Sequence, residues 1–140
     1  MTFQKDLSFG NEYERKYATY KGFKNYIIKE GKFKPYDIRD LDTNLKYEVK
    51  TDRYTHRTGN MCIEFMCNNI PSGISTTEAE MYAYWVYSPD GKDELYEIPV
   101  TDLKEMIKQK KYFKEQNGGD GYRSKFYLIK KEKFTQYKKM

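Results

Sequence analysis

Histidine and cysteine are nearly missing from this chain: His56 stands alone, and Cys62 and Cys67 are the two thiols among 140 residues. Zinc centres draw mainly on Cys and His at characteristic spacings. No partner follows His56 at such a spacing, which removes the usual zinc sites and leaves His56 unsupported as a general base. Cys62 and Cys67 lie five apart near one expected strand and face opposite sides if it is unbroken, which argues against a disulfide. A Cys62–His56 nucleophile pair is equally unsupported, because a strand-centre Cys is ordinarily packed and inert. Long apolar runs are also lacking. With 34% charged residues and a mean hydropathy of −1.01, no membrane span is expected. The first residues lack the apolar region of a secretory signal, so an intracellular, cytoplasmic protein is expected. There is no repeat, low-complexity tract or linker, and residues 1–140 read as one domain. Gly118-Gly119-Asp120-Gly121 follows no expected strand and leads no helix, so it is not a phosphate-cradling loop.

What the chain has in plenty is lysine and tyrosine. The net charge is +5 and the pI about 9.0, a balance suited to a polyanionic partner. Lys, Tyr, Asn, Ile and Phe are abundant together, as an AT-biased coding sequence also produces, so basicity alone carries little weight. Residues Asn11–Tyr20 read as a helix with Tyr13, Tyr17 and Tyr20 on one stripe. Lys24–Lys29 either extends that helix or leads into a strand. Strands are expected at Phe33–Arg39, Lys46–Thr51 and Asn60–Met66, and a loop at Asn68–Gly73. Ser75 with Glu78 three residues on reads as a helix start. An aromatic strand follows at Tyr82–Tyr87, a turn at Ser88-Pro89-Asp90-Gly91 and a strand at Leu95–Val100. Thr101 is expected to cap a helix reaching Tyr112 with Leu103, Met106, Ile107 and Lys110 at helical spacing. A loop at Asn117–Gly121 and a strand at Lys125–Ile129 complete the reading.

The chemistry concentrates in Tyr36-Asp37-Ile38, a short polar turn, and Tyr47-Glu48-Val49-Lys50. Read as a β-hairpin, this segment carries Asp, Glu and Lys on one face. Strand side chains alternate, so Glu48 and Lys50 project together while Val49 points the other way. A tight turn at Asp42-Thr43 sets Asp37 opposite Glu48, with Cβ atoms about 5 Å apart. Two carboxylates so close raise one another's proton affinity unless a cation lies between them. A hard divalent ion fits, with Lys50 beside it to position a water or bind a phosphate oxygen. Asp40, Asp42 and Asn44 alternate as in a calcium loop, but Leu45 and Thr51 stand where that loop needs Gly and Glu. They read instead as turn formers.

The Asp…Glu-X-Lys spacing resembles that of the PD-(D/E)XK nuclease superfamily, which includes restriction enzymes, Holliday-junction resolvases and phage recombination nucleases. Asp37 matches the first acidic residue, and Glu48, Val49 and Lys50 match the Glu-X-Lys element. Pro35 comes one residue early, so the match is Pro-Tyr-Asp. The resemblance covers about the first two-thirds of the chain, where the expected order is helix, three strands, short helix, strand. It implies an α/β fold with a mixed central sheet, flanking helices and C-terminal additions. It further implies Mg²⁺-dependent hydrolysis of DNA phosphodiesters, with Mn²⁺ as a substitute. Asp37, Glu48 and the Val49 carbonyl would hold the metal, Lys50 would act on the water or the developing charge, and Glu14 would ligate a second or transient metal. Glu12 competes for that last position. Small phage-type members suggest branched DNA as substrate, a homodimer cutting two strands, and a phage protein acting inside a bacterial host.

Other residues carry two readings each. Arg53, His56 and Arg57 are candidates for phosphate contact. So are Ser75, Thr76 and Thr77, through hydroxyls and helix N-terminal amides, set against plain capping. Asp52 shares the Glu48/Lys50 face, with a salt bridge to Arg53 or Arg57 as the alternative. Glu64 is either an outer support of the metal site or an exposed strand residue. Trp85 could stack on bases, but core packing is the default. For the whole chain, the alternatives are a catalytically silent nucleic-acid-binding module and a small interaction protein with no nucleic-acid role.

Overall fold

A computed structural model describes residues 3–31, 34–118, 121 and 123–140, with first-helix side chains from Gly10 onward. The chain forms a five-stranded mixed sheet covered on one face by a helix and on the other by a second, antiparallel sheet. Helix α1 (Phe3–Lys21) leads into β1 (Tyr26–Ile28), β2 (Ile38–Asp40) and β3 (Lys46–Asp52), an antiparallel meander. Strands β4 (Asn60–Cys67) and β5 (Ile70–Pro71) then leave for the second sheet, after a short helix α2 (Thr55–Thr58). The chain returns as β6 (Met81–Val86), which lies parallel to β3, and β7 (Glu94–Pro99) follows antiparallel. Helix α3 (Val100–Lys108), β8 (Lys114–Gly118) and β9 (Ser124–Lys130) come last, before a 3₁₀ segment at Lys131–Tyr137. The strand orders are β1-β2-β3-β6-β7 and β5-β4-β9-β8. Parallel neighbours need a long crossover, and here β4, β5 and a 3₁₀ turn at Gly73–Ser75 supply it.

Alternation along β6 divides the core. Ala83 and Trp85 join Tyr13, Tyr17, Ala18, Ile38, Tyr47, Val49 and Leu95 under α1. Tyr82, Tyr84 and Val86 face Met61, Ile63 and Ile129 of the second sheet. Burial of each such large side chain contributes about 1.5–3 kcal/mol. Trp85 is fully buried, with Tyr13 edge-on at 5.6 Å, so it is a core residue and not a base-stacking platform. The β2–β3 turn is built by Asp40, which accepts hydrogen bonds from the Asp42 amide and the Thr43 hydroxyl at 3.1 and 2.9 Å. Asn44 there takes the left-handed conformation at φ 65°, one that Asn tolerates better than most residues. Among the described residues, no helix is long and apolar enough to cross a membrane.

Several sequence expectations are corrected. The first strand of the meander is Tyr26–Ile28, and β2 begins only at Ile38; Phe33, where the strand was expected to start, lies outside the described residues. Asn60–Cys67 is a strand, but it belongs to the second sheet, so the three strands of the central meander are not the three that were expected. No helix starts at Ser75: the turn there is a single 3₁₀ turn, and Glu78 lies beyond it. Gly73 has φ +54°, and a Cβ at this position would lie 2.3 Å from the Glu64 carbonyl oxygen, so the chain passes β4 too closely to build a helix here. Helix α3 starts at Val100 and ends at Lys108, short of Tyr112, because Lys110 turns to φ 56°. Asn117 and Gly118 are in β8, not in a loop. In α1 the buried face is Tyr13, Glu14, Tyr17 and Ala18, while Tyr20 is exposed.

Candidate active site

Asp37 lies just ahead of β2, where its backbone still pairs with β3: its amide donates to the Tyr47 carbonyl at 2.9 Å. The β2–β3 register pairs Ile38 with Tyr47 and Arg39 with Lys46. The paired register ends at Ile38, and the Asp37–Glu48 pair expected of the hairpin is not part of it. The Asp37 side chain is buried and continues the ladder in place of backbone, with Oδ2 accepting the Val49 amide at 2.7 Å. Its Oδ1 faces the Lys34 ammonium at 3.0 Å. Glu48 and Lys50 share one side of β3, both half-buried, beside Tyr82 and Tyr84 of β6. Glu48 Oε2 accepts a hydrogen bond from the Thr77 hydroxyl at 2.9 Å.

The third carboxylate comes from α1. Glu14 is on the packed face of the helix and only 6% exposed, whereas Glu12 points to solvent. Of the two, it is Glu14 that packs toward Lys34 and Asp37. Its Oε1 lies 3.3 Å from the Lys34 ammonium. Its Oε2 is buried with no hydrogen-bond partner among the described residues. Lys34 thus bridges Glu14 and Asp37, and it also donates to the Lys29 carbonyl at 2.8 Å.

These groups perturb one another strongly. Burial, and then the charge of Asp37, push Glu14 up to about 7, against the pull of Lys34. Burial and Asp37 likewise hold the Glu48 carboxyl well above the ordinary range, with Thr77, Lys50 and Lys34 opposing. Burial works against the Lys34 ammonium, yet Asp37 and Glu14 outweigh it and raise its proton affinity. Three carboxylates are thus gathered with too little positive charge to leave each freely ionised.

The donors suit a hard divalent cation. Glu14, Asp37 and Glu48 offer carboxylate oxygens, and all-oxygen shells are what Mg²⁺ and Mn²⁺ prefer. The Val49 amide points at Asp37; in a strand a residue's N–H and C=O leave on the same side, so the Val49 carbonyl leaves on the Asp37 side too. Glu14 Oε2 is an acceptor lacking a partner among the described residues, and a buried acceptor without one is costly. Among the described residues no three acidic, His or Cys side chains converge closely enough to chelate an ion as they stand. Lys34 and Thr77 hold them instead.

No protein-family model matches the chain, and no curated protein matches it either. Function is therefore read from the geometry.

The remaining candidates divide into two places. Arg53, His56 and Arg57 sit on or beside α2, just past the C-terminal end of β3. His56 and Arg57 are exposed, the former edge-on to Tyr87 and the latter over the Tyr54 ring. Ser75 and Thr76 are exposed at the 3₁₀ turn, where the Ser75 hydroxyl donates to the Phe65 carbonyl. Thr77, grouped with them by sequence, belongs to the carboxylate cluster through Glu48. Asp52 caps α2, accepting the Tyr54 and Thr55 amides at 2.7 and 3.0 Å, and takes a hydrogen bond from the Tyr84 hydroxyl. Glu64 is held by the Ser72 hydroxyl at 3.0 Å. It approaches the cluster only across Tyr82, which burial and then Glu48, Glu64 and Asp37 raise well above an ordinary phenol. Both cysteines are free thiols, and burial with Asp52 pushes Cys62 up to about 11, leaving it a poor nucleophile.

Sequence reasoning missed Lys34. It stands three residues before Asp37 in a segment with no periodic pattern, and only the fold carries its ammonium to Glu14. The one available signal was a lysine directly before Pro35 and close to the acidic motif.

Proposed function

We propose that this protein is a divalent-cation-dependent endonuclease of the PD-(D/E)XK type, acting on DNA. The observation that carries the reading is the gathering of Glu14 from α1, Asp37 before β2 and Glu48 with Lys50 on β3, near enough to shift one another's proton affinities and tied in part by Lys34. These three elements contribute to such a site in the resemblance read from sequence, and the mutual perturbation of Glu14, Asp37 and Glu48 supports that reading here. A bound Mg²⁺ would supply Lewis-acid polarisation of the scissile phosphate and lower the pKa of an attacking water. Asp37, Glu48 and the Val49 carbonyl are the groups that would hold it, with Glu14 close by. The Val49 amide fixes the Asp37 carboxylate, and Thr77 fixes Glu48, so neither rotates freely. Lys50 projects beside Glu48, where its ammonium can orient the water and offset charge building on the phosphate. Arg53, His56 and Arg57 beyond β3 and Ser75 with Thr76 at the 3₁₀ turn are the proposed phosphate contacts.

A second reading has one observation in its favour. Lys34 already pairs with two of the carboxylates, as a permanent ion pair in a silent DNA-binding module would. Incubating the protein with linear, nicked and four-way-junction DNA, in Mg²⁺, Mn²⁺ or EDTA, separates the two. Cleavage in either metal and none in EDTA is expected, and faster cutting of the junction would support a resolvase-like dimer. DNA binding without cleavage in any metal would establish the silent module.

A further inference from the structure

Lys34 occupies an unusual position for a lysine. Its side chain is 19% exposed, and its ammonium is shared among Asp37 Oδ1 at 3.0 Å, Glu14 Oε1 at 3.3 Å and the Lys29 carbonyl at 2.8 Å. Two of those oxygens belong to the carboxylates that would bind a divalent ion. The second oxygen of Glu14 has no partner among the described residues, although the residue is more than nine-tenths buried. A single ammonium thus leaves the acidic cluster incompletely satisfied. A divalent cation carries twice the charge and binds carboxylate oxygens at about 2.0–2.1 Å for Mg²⁺.

We infer that Lys34 is a built-in competitor for the cation site: its ammonium holds Glu14 and Asp37 in the metal-free protein and must be displaced when a divalent ion binds. The inference rests on the reading of Glu14, Asp37 and Glu48 as a cation site. The two cations cannot share the same carboxylate oxygens at close range without strong repulsion. Displacement is open to Lys34 because its four-carbon stem is flexible and its ammonium is readily rehydrated. The competition stabilises the free protein, which would otherwise bury two like charges, and weakens metal binding by whatever the Lys34 contacts contribute. It also sets a threshold: metal loads only above a concentration sufficient to release the lysine.

The test is calorimetric titration of Mn²⁺ into the wild type, Lys34→Met and Lys34→Arg. Met preserves the stem and removes the charge, and it should bind Mn²⁺ at least tenfold more tightly than the wild type; Arg, which keeps the charge, should not. Equal or weaker binding by Lys34→Met would overturn the inference. If Lys34→Met fails to fold alone, refolding in Mn²⁺ decides: recovery of a cooperative melt supports competition, and no recovery counts against it. Metal-dependent DNA cleavage by the wild type with unchanged Mn²⁺ affinity in Lys34→Met sinks the Lys34 role and leaves the nuclease reading standing. If neither protein binds Mn²⁺ and the wild type does not cut, both fall.

Discussion

Lys50→Ala should cut DNA about 10³-fold more slowly than the wild type, a loss typical of removing a group that acts on the reacting atoms. The fold should survive, because Lys50 is half-buried and makes no hydrogen bond or ion pair with another described residue. Its aliphatic stem lies beside Tyr84 on the neighbouring strand, so a small packing loss of about 0.5–1 kcal/mol is expected. DNA affinity should fall little, since one ammonium at the scissile phosphate is a small part of a phosphate-contacting surface. Single-turnover cleavage, thermal melting and DNA binding measured on one preparation check the three parts separately. A well-folded Lys50→Ala that cuts at the wild-type rate would remove Lys50 from the chemistry. The lysine would then serve only to temper Glu48, whose proton affinity it lowers.

The metal-free protein should be more stable in mild acid than in mild base, the reverse of what ordinary surface carboxylates produce. Burial and the neighbouring charge of Asp37 raise Glu14 to about 7 and hold Glu48 high as well. A folded state that binds protons more tightly than the unfolded chain gains stability wherever it is the more protonated of the two. The gain is full below the ordinary carboxylate value, near 4.5, and is lost as pH rises through the folded values. Lys34 does not counter this trend, because its raised affinity contributes fully until the pH reaches the ordinary lysine range. Asp93 and Glu94 are held low despite burial, the first by Lys16 and Tyr13 and the second by Lys131 and Tyr96. Their contribution is lost only below the ordinary carboxylate range. Each tenfold gain in proton affinity on folding is worth about 1.4 kcal/mol, and in a chain of this length each kcal/mol moves Tm by about 3 °C. The Tm in EDTA should therefore be several degrees lower at pH 8 than at pH 5.5, and Glu48→Gln should flatten the profile. A wild-type Tm that rises over this interval would show that the carboxylates do not perturb one another.

The candidate site was partly legible in sequence because it lies in a hairpin, where strand alternation fixes which side chains share a face. Asp37, Glu48 and Lys50 could be placed on that basis, and Asp40 at the turn did what its chemistry suggests. The choice of Glu14 over Glu12 depended on which helix face packs. Tyr13 and Tyr17 marked that face, even though Ala18, and not Tyr20, completes it. Sheet membership was not legible. Asn60–Cys67 has the pattern of a strand, but nothing local indicates that it pairs with β9 and not with β3. Strand β8 carries almost no signal: Lys114-Glu115-Gln116-Asn117 are exposed, and the strand persists through backbone pairing with β9. The abortive helix at Ser75 reflects the close approach of Gly73 to Glu64, a tertiary fact hidden from capping rules. Lys34 escaped for the same reason, since its partners come from α1 and from the far side of a turn.

Everything proposed for this protein depends on Asp37, Glu48 and Glu14 forming a cation site. Calorimetric titration of Mn²⁺ into Lys50→Ala protein bound to a short DNA duplex tests it most directly, because that variant is expected to keep DNA affinity while cutting about 10³-fold more slowly. Binding in the millimolar range or tighter is predicted, and adding Asp37→Asn should weaken it at least tenfold by removing one carboxylate charge and one oxygen donor. No detectable binding, or binding that Asp37→Asn leaves unchanged, would contradict the account.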